Sequence, residues 1–175
     1  MAILFAREGA DVTIVHLPEE QPDANDTVRA VEHEGRKCLS IAFNLEHFKD
    51  TKSIIDRHVA EFGRVDILVN NASQQRLTDD FAEIDLDSVE QVFKTNILQM
   101  FALTKFALPH MPKGSSIINT TSVTTFRGSA SFPDYVATKG AIVGFTRSLA
   151  KDLVKKGIVS DRLIGFRTMF LMLPF

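Results

Sequence analysis

The chain is poor in the residues that cross-link or stain a protein. Cys38 is the only cysteine in 175 residues, which excludes an intrachain disulfide and any cysteine-cluster metal site, and suits reducing surroundings. No metal is expected. Tryptophan is absent and Tyr135 is the only tyrosine, so any chemistry done by a phenol falls to one residue. No run approaches the roughly 18 consecutive apolar residues of a membrane-spanning helix. Residues 1–6 meet Arg7 and Glu8 too soon for a signal peptide. A soluble cytoplasmic protein is the expectation. An excess of one charge is also missing: 20 Lys and Arg stand against 22 Asp and Glu, for a formal net charge of -2. With no basic block, nucleic acid is not expected as a partner.

What remains is ordinary for one compact domain: 45% hydrophobic and 24% charged residues in a length able to bury a core. Two periodicities alternate along it. Residues 12–17 (Val-Thr-Ile-Val-His-Leu) read as a strand, and 26–34 as a helix that stops at Gly35. A second strand is expected over 37–43. From 48 to 62 a helix carries Ile54, Ile55, Val59 and Phe62 on one stripe and ends at Gly63. The nearly continuous apolar run 65–69 reads as a strand covered on both faces. A long helix over 87–109, a strand over 116–120, and a long helix from Asp134 to about Lys156 complete the pattern. The order is a helix remnant followed by four strand–helix repeats, which predicts an α/β domain with a parallel sheet.

Within that frame a few polar residues fall at positions suited to chemistry. Lys139 follows Tyr135 by four residues on the last helix, so both side chains share a face. A unit positive charge ~5 Å from a phenol contributes roughly 3 kcal/mol at an effective dielectric of ~20, enough to draw its pKa well down from ~10. That makes a phenol useful as general acid or base. Ser122 follows the fourth strand, at the edge where open α/β sheets place ligands, and its hydroxyl can meet a carbonyl there. Thr120, Thr121, Ser122, Thr124 and Thr125 are equally readable as a polar loop, and Asn70–Asn71 as a turn. Asn96 sits inside an apolar helix where asparagine is a mediocre helix former, so a kink or a buried polar contact is expected, with a backbone carbonyl freed to hold a water.

Together, Asn70-Asn71-Ala72 after a strand, Asn96 in the next helix, Ser122 after the next strand and Tyr135-x-x-x-Lys139 resemble a short-chain dehydrogenase/reductase. The resemblance runs over residues 1–158, and the segments Asp66–Ala72, Ser116–Ser122 and Ala137–Val143 are most similar to the glucose/ribitol dehydrogenase-like branch. It implies an NAD(P)-dependent oxidoreductase interconverting an alcohol and a ketone or aldehyde. Tyr135 would be the acid/base. Lys139 would lower its pKa and bind the nicotinamide ribose, and Ser122 would orient the carbonyl. Asn96 would hold a water that relays protons through Lys139. Asn44 and Leu45 would contact adenine, and Asn71 would support the cofactor. Residues 14–18 (Ile-Val-His-Leu-Pro) carry no acid to choose between NAD and NADP. Homo-oligomers would form through the two long helices.

The chain departs from the family at both ends. No Gly-x-x-x-Gly-x-Gly pattern occurs anywhere in it, so the backbone cradle for a pyrophosphate is expected to be missing. The strand preceding that cradle would be missing with it, leaving an incomplete doubly wound, Rossmann-like parallel sheet without its first central strand. Two strand edges would then lack a partner. From residue 159 to 175 the sequence stops resembling the family, and these residues are expected to be an aberrant apolar tail beyond a partial dinucleotide-binding domain of residues 1–158. The alternative to a truncated oxidoreductase is a non-catalytic remnant acting as an oligomerisation partner.

Overall fold

The computed structural model describes residues 1–165. In chain order its main elements are α1 (Ala2–Arg7), β1 (Val12–His16), α2 (Gln21–His33), β2 (Cys38–Ala42), α3 (Lys52–Phe62) and β3 (Ile67–Asn70). These are followed by α4 (Leu86–Phe93), a π-helical turn over Lys94–Leu98, α5 (Gln99–Ala107), β4 (Ser116–Ser122), α6 (Thr124–Arg127), α7 (Pro133–Leu153) and β5 (Val159–Gly165). The alternation predicted from periodicity is present, with ends moved by local chemistry. Helix α2 starts five residues before the expected Asp26, because Pro22 in its first turn has its φ preset for a helix and no N–H to lose.

The strands form two parallel sheets, β1–β2 and β3–β4–β5. In the first, Val12 pairs with Cys38 and His16 with Ala42. In the second, β4 is central: Ile67 faces Ser116 on one side, and Ser116 faces Val159 on the other. Among the described residues no strand pairs with the free side of β1 or of β3, as the incomplete Rossmann-like sheet requires. One apolar cluster nevertheless joins both halves. Ile41 and Leu45 from the β2 side pack with Ile54 and Ile55 of α3, Leu103 and Ala107 of α5, and Ile117 of β4. His58 on α3 also spans the two, with Nδ1 2.7 Å from Thr13 Oγ1 on β1 and Nε2 3.0 Å from the Arg64 carbonyl oxygen ahead of β3.

Two expectations need correction. The run over 65–69 is not covered on both faces: Ile67 is 43% exposed, because β3 is an edge strand. Nor does the ordered fold stop at residue 158. Residues 159–165 continue the sheet as β5, in register with β4 along its whole length. Alternation turns Ser160 inward and leaves Val159 and Leu163 exposed, as an edge strand with one covered face demands. The rest of the expected apolar tail, 166–175, lies outside the described residues.

Gly157, predicted to stop the last helix, holds φ +66°, and a Cβ there would stand 2.7 Å from Lys113 Cγ. Both the left-handed backbone and the close approach demand glycine. No helix among the described residues is long and apolar enough to cross a membrane.

Candidate active site

The carboxyl ends of β3 and β4 and the first turns of α7 bring most of the predicted residues together. Tyr135 and Lys139 are both buried, at 4% and 2% exposure. One helical turn separates them, and Lys139 Nζ lies 5.3 Å from the centre of the Tyr135 ring. Lys139 Nζ donates to the Thr120 carbonyl at 2.9 Å, and Thr121 Oγ1 donates to the Lys139 carbonyl at 2.9 Å. The lysine is thus fixed to β4 at both its ends. Among the described residues no carboxylate pairs with it. Burial without a counter-charge lowers its pKa to about 8, because a low-dielectric site disfavours the charged form.

Ser122 is the last residue of β4 rather than a loop residue, and is buried. Its Oγ accepts from the Thr124 N–H at 3.2 Å and from Thr124 Oγ1 at 3.0 Å. Both lone pairs are engaged, which leaves the Ser122 O–H as a donor. The threonines around it are therefore not a merely polar loop: Thr120 and Thr121 belong to the strand, and Thr124 aims the serine.

Asn96 occupies the middle of the π-helical turn, where one helical carbonyl loses its regular partner. This is the distortion its position in the sequence predicts. Three hydrogen bonds hold its side chain. Oδ1 accepts from the Gln74 N–H at 2.7 Å, while Nδ2 donates to the Gln74 carbonyl at 2.9 Å and to Thr138 Oγ1 at 3.0 Å. Asn71 joins the cluster through Oδ1, which accepts from Thr120 Oγ1 at 3.0 Å. Asn70 instead turns into the sheet, donating to Asn119 Oδ1 at 2.9 Å.

Asn44 and Leu45 stand apart, after β2. Leu45 is a core residue, and Asn44 Oδ1 accepts from the Glu46 N–H at 3.0 Å, closing a tight turn. Only backbone and the Asn44 amide are left to face a ligand there. Gln74 links this turn to the rest, with Nε2 3.4 Å from Glu46 Oε1 and 3.0 Å from Thr95 Oγ1. Thr120, Thr138 and Gln74 are the site residues that sequence reasoning did not single out. Thr138 lies inside Tyr135-x-x-x-Lys139, so its position was visible, but its partner Asn96 is 42 residues away.

Two cavities flank the cluster without containing Tyr135, Lys139 or Ser122. One of about 360 Å³ is lined by Arg76, Thr78, Asp79, Glu83 and Asp134. A more apolar one of about 220 Å³ is lined by Phe81, Leu86, Val89, Phe93 and Ala137. They meet at Ile84 and Asp134, the residue before Tyr135.

A family profile described as short chain dehydrogenase matches residues 1–161. The chain belongs to the short chain dehydrogenase family. Its relatives include NADPH-dependent aldehyde reductase 1, chloroplastic, of Arabidopsis thaliana, 45% identical over 88% of this chain and 55% of the relative. Glucose and ribitol dehydrogenase of Daucus carota is 42% identical over the same 88% and 55% shares. Among solved structures, a short chain dehydrogenase from Burkholderia cenocepacia J2315 in complex with NADP superposes with a TM-score of 0.86 at 29% identity, covering 92% of this chain and 66% of that one. This short chain dehydrogenase chain thus spans about half the length of the curated relatives it matches, at 55%.

The residues present fit one end of a nicotinamide dinucleotide. Lys139 uses one N–H on Thr120, so two of its three donors have no partner among the described residues. The Asn71 amide nitrogen has no partner among the described residues. For the pyrophosphate, the described residues offer no glycine-rich turn leading into a helix.

Proposed function

We propose that this chain carries the proton-transfer half of an NAD(P)-dependent oxidoreductase that interconverts an alcohol and a ketone or aldehyde. The observation that carries the reading is the buried pair Tyr135 and Lys139, tied through Lys139 to the strand that ends in Ser122, whose O–H is left to donate. NAD(P)H, when bound, supplies the hydride. In the reducing direction the carbonyl oxygen accepts from the Ser122 O–H and from Tyr135, and the phenol proton passes to it as the carbonyl carbon is reduced. At neutral pH, below its pKa of about 8, Lys139 is charged and stabilises the phenolate that results. Lys139, Asn71 and the turn at Asn44–Leu45 would hold the cofactor. A water on the backbone oxygen freed at Asn96 would return the proton through Lys139. The names of the Arabidopsis and carrot relatives favour an aldehyde or a polyol as substrate. The test is NADH- and NADPH-dependent reduction of aldehydes and ketones by the purified chain and by Tyr135→Phe; equal rates in the two would remove Tyr135 from the reaction.

A second reading rests on a different surface. Phe101 on α5 is 54% exposed and Leu98 37% exposed, and the Phe101 ring lies 4.5 Å from that of Phe145 on α7. We infer that these helices bury this face against another copy of the chain, as exposed aromatic patches commonly do. Sedimentation should give an oligomer that Phe101→Glu converts to monomer. A wild-type monomer at high concentration would end this reading without touching the first.

A further inference from the structure

We propose that Thr138 is a positioning residue for Tyr135, joining the loop after β3 to the helix that carries the phenol. The inference rests on the reading of Tyr135 as the reacting acid. Four hydrogen bonds make the connection, and each has a fixed direction. Gln74 presents one backbone donor and one backbone acceptor, so its two bonds to Asn96, of 2.7 and 2.9 Å, settle which side-chain atom of Asn96 is oxygen and which nitrogen. Asn96 Nδ2 must then donate to Thr138 Oγ1, at 3.0 Å. The threonine hydroxyl, having accepted, donates its single proton to the Tyr135 carbonyl at 2.7 Å.

A threonine bonded back to the carbonyl three residues earlier is common in helices and usually has only local effect. Thr138 differs in its second partner. Asn96 belongs to a separate segment, the π-helical turn, and both side chains are sealed from solvent at 0% and 1% exposure. In such a site neither group has water as an alternative partner, so breaking one bond leaves the others unsatisfied. Through Thr138 the Tyr135 carbonyl is tied to the amide that grips both backbone polar groups of Gln74. Gln74 in turn reaches Thr95 and Glu46, so the turn after β2, the loop after β3 and the first turn of α7 form one connected unit. The ring of Tyr135 leaves the helix from the residue whose carbonyl this unit fixes.

Tyr135 being the only tyrosine, the full chain grown with 3-fluorotyrosine gives one ¹⁹F resonance that reports its surroundings without cofactor or turnover. Thr138→Val removes the hydroxyl at nearly constant shape, and Thr138→Ser keeps it. The expected result is a resonance displaced by more than its width, or split, in T138V and restored in T138S. Where the chain turns over, kcat should fall about 10- to 100-fold in T138V with KM unchanged, as for a misplaced reacting group, and recover in T138S. If T138V does not fold, Thr138→Ala makes the same comparison. An unmoved resonance in the folded variant, or a moved one that T138S leaves unrestored, overturns the proposal. A moved and rescued resonance in a chain inactive with every carbonyl substrate upholds the positioning role and counts against the oxidoreductase reading alone.

Discussion

Lys139→Met should melt later than the wild-type chain while losing the proposed reductase activity. The lysine is 2% exposed and has no acidic partner among the described residues, and burial brings its pKa from 10.5 to about 8. In the unfolded chain the same amine holds its proton up to pH 10.5. The unfolded state therefore binds more protons between pH 8 and 10.5, and stability rises with pH across that window. Below pH 8 the folded chain carries the full penalty, about 3 kcal/mol from the size of the displacement. Methionine fills the same unbranched space without a charge. Losing the bond to the Thr120 carbonyl costs about 1 kcal/mol, so the variant should gain about 2 kcal/mol at pH 7, and its advantage should shrink from pH 8 and be gone by 10.5. Cys38 contributes an opposite slope. Burial, then the Glu32 charge, raises its pKa from 9.0 to about 11, so the unfolded thiol ionises first and stability falls between pH 9 and 11. Both chains keep Cys38, so this fall cancels in the difference between them. Denaturant midpoints at pH 7, 9 and 10.5 measure the gap. A constant gap, or a variant weaker at pH 7, would contradict the account. The activity should drop at least about 100-fold, the low end of what a working acid/base arrangement supplies. A residue that costs stability where it stands is the pattern of a site kept for chemistry.

That lysine also marks what could be read from sequence. The spacing from Tyr135 to Lys139 places them on one face by helix geometry alone, and the asparagine in an apolar helix foretold the distortion found as the π-helical turn. Local rules reach such features because cause and effect lie within one or two turns. The bonds that complete the site do not obey them. Thr120 meets Asn71 across 49 residues and Asn96 meets Thr138 across 42. A threonine that bridges elements looks, in sequence, like one that merely suits a strand. Strand β5 was hidden for another reason: Val-Ser-Asp-Arg-Leu-Ile-Gly carries no clear strand pattern of its own, and its place is set by the open edge of β4. The exposure of Ile67 follows from the unpaired edge of β3, which a run of apolar residues does not reveal.

Asn119→Leu is expected to destabilise the chain by about 2 to 4 kcal/mol, because one amide at the centre of the larger sheet serves three neighbouring elements. Asn119 is 0% exposed. Its Oδ1 accepts from Asn70 Nδ2 of β3 at 2.9 Å, and its Nδ2 donates to Thr146 Oγ1 of α7 at 3.1 Å and lies 3.5 Å from Ser160 Oγ of β5. Leucine matches the shape but satisfies none of these. Asn70 then keeps only its 3.4 Å contact to Thr104, and its Oδ1 already lacks a partner among the described residues. A buried polar group left unpaired costs about 1–3 kcal/mol, and Asn70 bears most of it. Thr146→Val should cost less, about 1 kcal/mol, because Asn119 then loses one acceptor but keeps Asn70 at 2.9 Å and Ser160 Oγ at 3.5 Å. Combining Asn70→Ala with Asn119→Leu should recover part of the loss, since the stranded donor is then gone. Urea unfolding of the three variants reads these differences. If Asn119→Leu unfolds at the wild-type midpoint, the amide is not what holds β3, β4 and α7 together, and the anchoring of Thr120 and Thr121 beneath Lys139 must come from the ladder hydrogen bonds alone.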